Sequence, residues 1–180
     1  PVPESVRDTM LRGLASLIEG RVAPDPRYWA PREDLVQRKL KALEALARYG
    51  RATPQHLATV AATPGLWPLS GVVSWLAVLQ HVPNHPNPAT RQAQITEAES
   101  QIRARMVRSG TLTQFTGERE DYWWWLMDSP DGTAARLITA LMELPGWERE
   151  VPKLVRGVLS RQREGHWDTT TANAWGVVML

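Results

Sequence analysis

The 180-residue sequence contains no cysteine, which excludes disulfides, thiolate nucleophiles and cysteine-based zinc sites. It has a single phenylalanine, Phe115, so its nine tryptophans must supply much of the aromatic core. No run approaches the ~18 apolar residues of a membrane-spanning helix, and no signal-peptide pattern opens the chain. There is no large charge excess of either sign. The formal charge is only +2, and the arginines are spread along the chain rather than gathered in a block that would argue for nucleic acid. Neither a Gly-x-Ser-x-Gly elbow nor a phosphate-binding loop is present.

What is present is a tryptophan pattern that occurs twice. Gly65-Leu66-Trp67-Pro68-Leu69-Ser70 is followed by Trp75, and Gly165-His166-Trp167-Asp168-Thr169-Thr170 by Trp175. Each copy reads Gly-x-Trp, then Ser or Thr three residues on, then Trp eight residues after the first, leading into an apolar helical run. Spaced self-similarity of this kind marks stacked supersecondary units. The unit here is a helical hairpin. The sequence therefore predicts an all-α fold, the helical hairpins of an incomplete α/α toroid, with residues 1–180 forming one helical domain. Pro1 at the start and the apolar run Val177-Val178-Met179-Leu180 at the end lead us to expect a piece of a larger protein.

Helical periodicity places elements between the punctuating prolines and glycines. A first helix runs from about Glu4 to Glu19, with Val6, Met10, Leu14, Leu17 and Ile18 on one face. A second starts at Pro31 and stops before Gly50, with Leu35, Val36, Leu40, Leu43 and Ala47 as its apolar stripe and Lys39, Lys41 and Glu44 as a solvated face. Thr53-Pro54 caps a short helix to about Ala62, and Ser70 is placed to cap the next. A polar outer helix from about Ala89 to Arg108 carries Ile95, Ala98, Ile102 and Met106. Thr111 to Phe115 alternates weakly, as a short strand would. Ala134, Leu137, Ile138, Leu141 and Met142 form the next helical face, Val151, Leu154, Val155, Val158 and Leu159 another, and Thr169 to Thr171 offer a cap for the last helix.

The candidate site is the run Asp121 to Trp125. Trp123, Trp124 and Trp125 cannot all face one core on a helix, because neighbours lie ~100° apart. At least one is expected to face a groove, another domain or solvent, beside Glu118, Glu120 and Asp121. Asp121, Trp123, Trp124 and Trp125 are therefore the candidate groove or domain-contact residues. No catalytic residue is assigned. His81 and His85 have metal-ligand spacing on a helix, but Pro83 and Pro86 break that helix, and neither a metal nor a cofactor is expected. His166 stands where the first copy has Leu66, a surface or capping position.

Gln162-Arg163-Glu164-Gly165-His166-Trp167 resembles the glutamine–tryptophan turn of α/α-toroid proteins, including cyclases of the squalene–hopene type, but no Asp-x-Asp-Asp acidic motif accompanies it. A broader resemblance joins Arg38 to Leu46, Trp67-Pro68-Leu69-Ser70, Tyr122 to Met127 and, most specifically, Trp167-Asp168-Thr169-Thr170-Thr171-Ala172-Asn173-Ala174-Trp175-Gly176. Together these segments resemble the bacterial α2-macroglobulin family, and the last is similar to the closing stretch of its thioester-type helical domain. The resemblance covers about Val6 to Leu180. It implies the later hairpins of an α/α toroid within a large protein of the periplasm or cell envelope that traps proteases after bait cleavage and acts in defence. Its partners would be the other domains of the parent chain and target proteases, and this chain would have no catalytic activity of its own. The family's Cys-x-Glu-Gln thioester has no counterpart here, so no reactive residue is carried over. The alternatives are a carbohydrate-active or terpenoid-type α/α-toroid enzyme and a plain scaffold or interaction domain.

Overall fold

The computed structural model describes residues 2–22, 34–110, 112–115 and 124–180. The fold is all-α with one small hairpin. Among the described residues the helices are α1 Glu4–Ile18, α2 Leu35–Arg48, α3 Pro54–Ala58, α4 Leu69–His81, α5 Pro88–Ala104, α6 Pro130–Leu141, α7 Val151–Leu159 and α8 Thr170–Met179. The strands are β1 Met106–Ser109 and β2 Leu112–Phe115. Pro31, expected to start the second helix, lies outside the described residues. The helices pack into two compact units, residues 1–64 with 74–97 and residues 65–73 with 98–180.

In the first unit α1 packs on α2. Leu11 and Ile18, seven apart on one face of α1, are buried, as are Leu40, Leu43, Leu46 and Ala47 of α2. This corrects the stripe read from periodicity, because Val6 and Met10 are exposed. An amphipathic pattern gives the width of a face, and the neighbouring helix selects which part of it is used. Arg51, just past the end of α2, lies 4.0 Å from Asp8 on this side of α1. On α2, Leu35 and Val36 are exposed, while Glu44, expected in solvent, is buried. Arg48 one turn later lies 3.1 Å from Glu44, so the buried carboxylate meets a countercharge that stays partly exposed. Asp34 and Arg38 repeat this arrangement at 2.8 Å.

Thr53 opens α3 with a reciprocal capping box. Its hydroxyl accepts from the His56 amide, and His56 Nδ1 accepts from the Thr53 amide. Nε2 of the same ring then meets Glu19 Oε1 at 3.2 Å, tying α3 to the end of α1. The helix stops at Ala58 rather than about Ala62; Thr59 donates its hydroxyl to the His56 carbonyl at the C-cap. Further on, α4 and α5 form a hairpin across the proline-rich loop. Asn87 accepts from Thr90 N to start α5, and the Arg91 guanidinium donates to the carbonyls of Leu79 and Gln80 at the end of α4.

In the second unit α6 is central, packing on both α7 and α8. Ala134, Leu137, Ile138 and Leu141 are fully buried, matching the predicted face, whereas Met142 lies past the helix end and is exposed. The polar helix expected to reach Arg108 ends at Ala104, because Met106 to Ser109 pair antiparallel with Leu112 to Phe115. Gly110, with φ +58°, supplies the left-handed backbone in the connection. The hairpin packs on α7, and Gly157 is what lets it approach: a Cβ there would collide with the Thr113 carbonyl. Trp147 is fully buried, donates from Nε1 to Glu99 and carries the Arg103 guanidinium 3.7 Å above its ring.

Candidate functional site

The two tryptophan turns start α4 and α8. Trp67 and Trp167 are both buried at these turns, as the repeat predicts. Around Trp167 almost every residue of the second copy has a structural task. The indole Nε1 donates to the Val158 carbonyl at 3.0 Å, satisfying a group near the end of α7. The ring lies against Gly176, where a Cβ would overlap it. Thr169 caps α8 by accepting from Ala172 N at 3.1 Å. Asn173 closes the turn: Oδ1 accepts from Trp167 N at 3.1 Å, and Nδ2 donates to the carbonyls of Trp167 and Thr169, both at 2.8 Å. The backbone groups of this turn are thus bonded by Asn173 and the indole. The first copy differs. Ser70 does not cap α4; the Pro68 carbonyl receives the first helical amides, from Gly71 and Val72, and Ser70 is buried in the first turn. Trp75 is buried, whereas Trp175 is half-buried with Arg136 over its ring at 5.6 Å.

The segment chosen as candidate site leads into the start of α6. Asp121 and Trp123 lie outside the described residues, as do Glu118 and Glu120. Trp124 begins the short 3-10 turn Trp124–Leu126. Trp125 is 40% exposed and Met127 is 74% exposed, and Met127 holds a φ of +59°, unusual for a side-chain-bearing residue. Trp125 is thus partly exposed on a 3-10 turn, not on an α-helix as the spacing argument assumed.

Immediately after it, polar side chains converge where α6 and α8 begin. Ser129 caps α6 by accepting from Gly132 N, and its hydroxyl lies 3.2 Å from that of Thr169, the cap of α8. Thr171 donates to the Met127 carbonyl at 3.4 Å. Asp128 sits 3.7 Å from Arg136, both buried, and Asp131 pairs with Arg161 at 2.7 Å. Burial pushes the Asp131 carboxyl above the usual aspartate range; Arg161 opposes that shift, and the nearby Asp168 charge adds to it.

This cluster does not form a nucleophile–base pair. The hydroxyl partner of Ser129 is another hydroxyl, and His166 is directed at the Trp167 carbonyl. Among the described residues no group of three or more His, Asp or Glu side chains is placed to hold a metal ion. A concavity of about 360 Å³ in the first unit is lined by Asp8, Leu11, Arg12, Ala15, Leu46 and Arg51.

No family model, curated protein or solved structure matches this chain. In the α6–α8 region, helix caps, turn hydrogen bonds and ion pairs engage Ser129, Asp131, Arg136, Arg161, Thr169 and Asn173. No described helix is long and apolar enough to cross a membrane.

The contributions of Asn173, Arg136 and Arg161 were not read from the sequence. Asn173 had a signal, since an amide side chain one turn after a Thr cap is placed to fold back on the turn. The two arginine pairs join residues 8 and 30 positions apart, and local spacing does not identify the second.

Proposed function

We propose that this chain is a non-catalytic helical module of a bacterial α2-macroglobulin-like protein that traps proteases, working in the periplasm or cell envelope. The observation that carries the reading is the use made of Trp167 to Gly176, the stretch in which the family resemblance is most specific. Its tryptophan, threonine, asparagine and glycine are spent on one turn and one helix start. That is the use expected of a helical hairpin in a domain whose task is to move or shield surfaces. Its partners on this reading are the other domains of the parent polypeptide and the target protease. Trp125 and Met127 offer exposed apolar contact area next to the α6 start for such a domain contact.

The experiment is to mix the longer polypeptide with an active endoprotease. Trapping predicts that the protease co-elutes with it, still cleaves a small peptide substrate, and no longer cleaves a large protein substrate. A protease that elutes free, with unchanged activity on the large substrate, overturns the reading.

A further inference from the structure

The concavity of about 360 Å³ in the first unit is lined by four residues of α1, by Leu46 of α2 and by Arg51 just past that helix. Asp8, Leu11, Arg12 and Ala15 follow one another at i, i+3, i+4 and i+7, so they share one face of α1. Leu11 and Leu46 are buried. Ala15 is the small residue of this face. A longer side chain there would lean back toward Leu11 and occupy the space. The volume is at the low end of the ~300–1,000 Å³ usual for ligand sites.

Three charges meet at this space. Elsewhere in the chain Asp34, Glu44 and Asp131 each have an arginine nitrogen at 2.8, 3.1 and 2.7 Å. Asp8 differs. Its Oδ1 accepts no hydrogen bond, with Arg7 Nε at 3.6 Å and Arg51 Nη2 at 4.0 Å, both too long. That oxygen is buried, yet the Asp8 side chain as a whole is 34% exposed. Arg12 and Arg51 are both exposed, and Arg12 spends one of its donors on Thr9 Oγ1 at 2.9 Å. The lining therefore offers an apolar surface, two guanidinium groups and a carboxylate that is not closed into a hydrogen-bonded pair.

We infer that this concavity binds the carboxyl-terminal end of a peptide whose last residue is apolar. The last side chain lies against Leu11, Ala15 and Leu46. The terminal carboxylate accepts charge-assisted hydrogen bonds from Arg12 and Arg51. The amide N–H of the last residue donates to the exposed part of the Asp8 carboxylate. A fatty acid supplies the apolar body and the carboxylate but brings no donor for Asp8. A free amino acid brings an ammonium, which would crowd a third positive charge against Arg7 and Arg51, already within 4.0 Å of Asp8. The neutral peptide N–H meets Asp8 without that repulsion. The site lies within the first unit and is independent of protease trapping.

The test is fluorescence anisotropy of the full polypeptide with Gly-Ala-Ala-Leu carrying fluorescein on its amino end. The free-carboxyl peptide should bind. Amidating its carboxyl, or substituting Arg12→Ala or Arg51→Ala in the protein, should weaken binding by about tenfold or more. Ala15→Phe fills the space and should abolish binding. A peptide ending in glycine tests the same apolar contact on the wild-type protein, with no risk to folding, and should also bind about tenfold more weakly. No anisotropy change, equal binding of the amidated peptide, or unchanged affinity in both arginine variants overturns the inference. Displacement by free leucine or by decanoate as effective as displacement by the unlabelled peptide overturns it as well.

Discussion

The ring of Trp167 lies against Gly176 so closely that a methyl group on residue 176 would overlap its six-membered edge. This contact joins the turn before α8 to the helix itself and explains why the glycine follows Trp175 in the second copy. Gly176→Ala should destabilise the protein by about 1–3 kcal/mol, the usual cost of overpacking a site whose neighbours are already fixed. Trp167 cannot easily give way, because its Nε1 is tied to the Val158 carbonyl. Urea denaturation of the two proteins reads the difference directly, and an unchanged midpoint would contradict the packing.

The two tryptophans of this copy should respond unequally. Trp167 is buried, so Trp167→Ala is expected to cost about 3–5 kcal/mol. Trp175 is half-buried, with Arg136 over its ring, and Trp175→Ala should cost clearly less. Equal losses in urea melts would show that burial does not set the ranking.

Asn173 offers a sharper test, because it separates hydrogen bonding from apolar packing. Asn173→Ala removes one acceptor and two donors from the backbone of residues 167 and 169. The expected loss is about 1–2 kcal/mol, since the site is only half-buried and water can replace part of what is lost. Amide exchange at Trp167 should also speed up in the variant. Exchange at an unchanged rate would remove Asn173 from the turn.

Much of this is legible in the sequence. The repeat spacing locates both turns, and the caps Thr53 and Thr169 lie where a hydroxyl precedes a helical face, although Ser70, in the same position, does not cap α4. The apolar face of α6 followed from spacing alone because helices pack on it from two sides. What spacing could not supply were choices made by partners. The neighbour of α1 selected Leu11 and Ile18 over Val6 and Met10. The pairing of β1 with β2 overrode local helical preference at Met106 to Ser109. Burial of Glu44 depended on Arg48 being one turn away to neutralise it.

The raised affinity of Asp131 for its proton has a defined consequence for stability. The folded state binds this proton more tightly than the unfolded chain, so Asp131 favours folding at low pH and that contribution is lost as pH rises through its folded range. Stability of the wild type relative to Asp131→Asn should therefore increase as pH falls from neutral through the carboxylate range. Parallel urea melts of both proteins check the sign. A relative stability that falls as pH is lowered would mean that pairing with Arg161, rather than burial, controls this carboxyl.

On the proposed trapping role, residues 1–180 form no covalent bond with the protease. The most direct measurement is to incubate the longer polypeptide with an active endoprotease, boil it in detergent, digest it and map every crosslinked peptide by mass spectrometry. The account predicts that no peptide from residues 1–180 is joined covalently to the protease. A covalent bond between the protease and any side chain of these residues would contradict it.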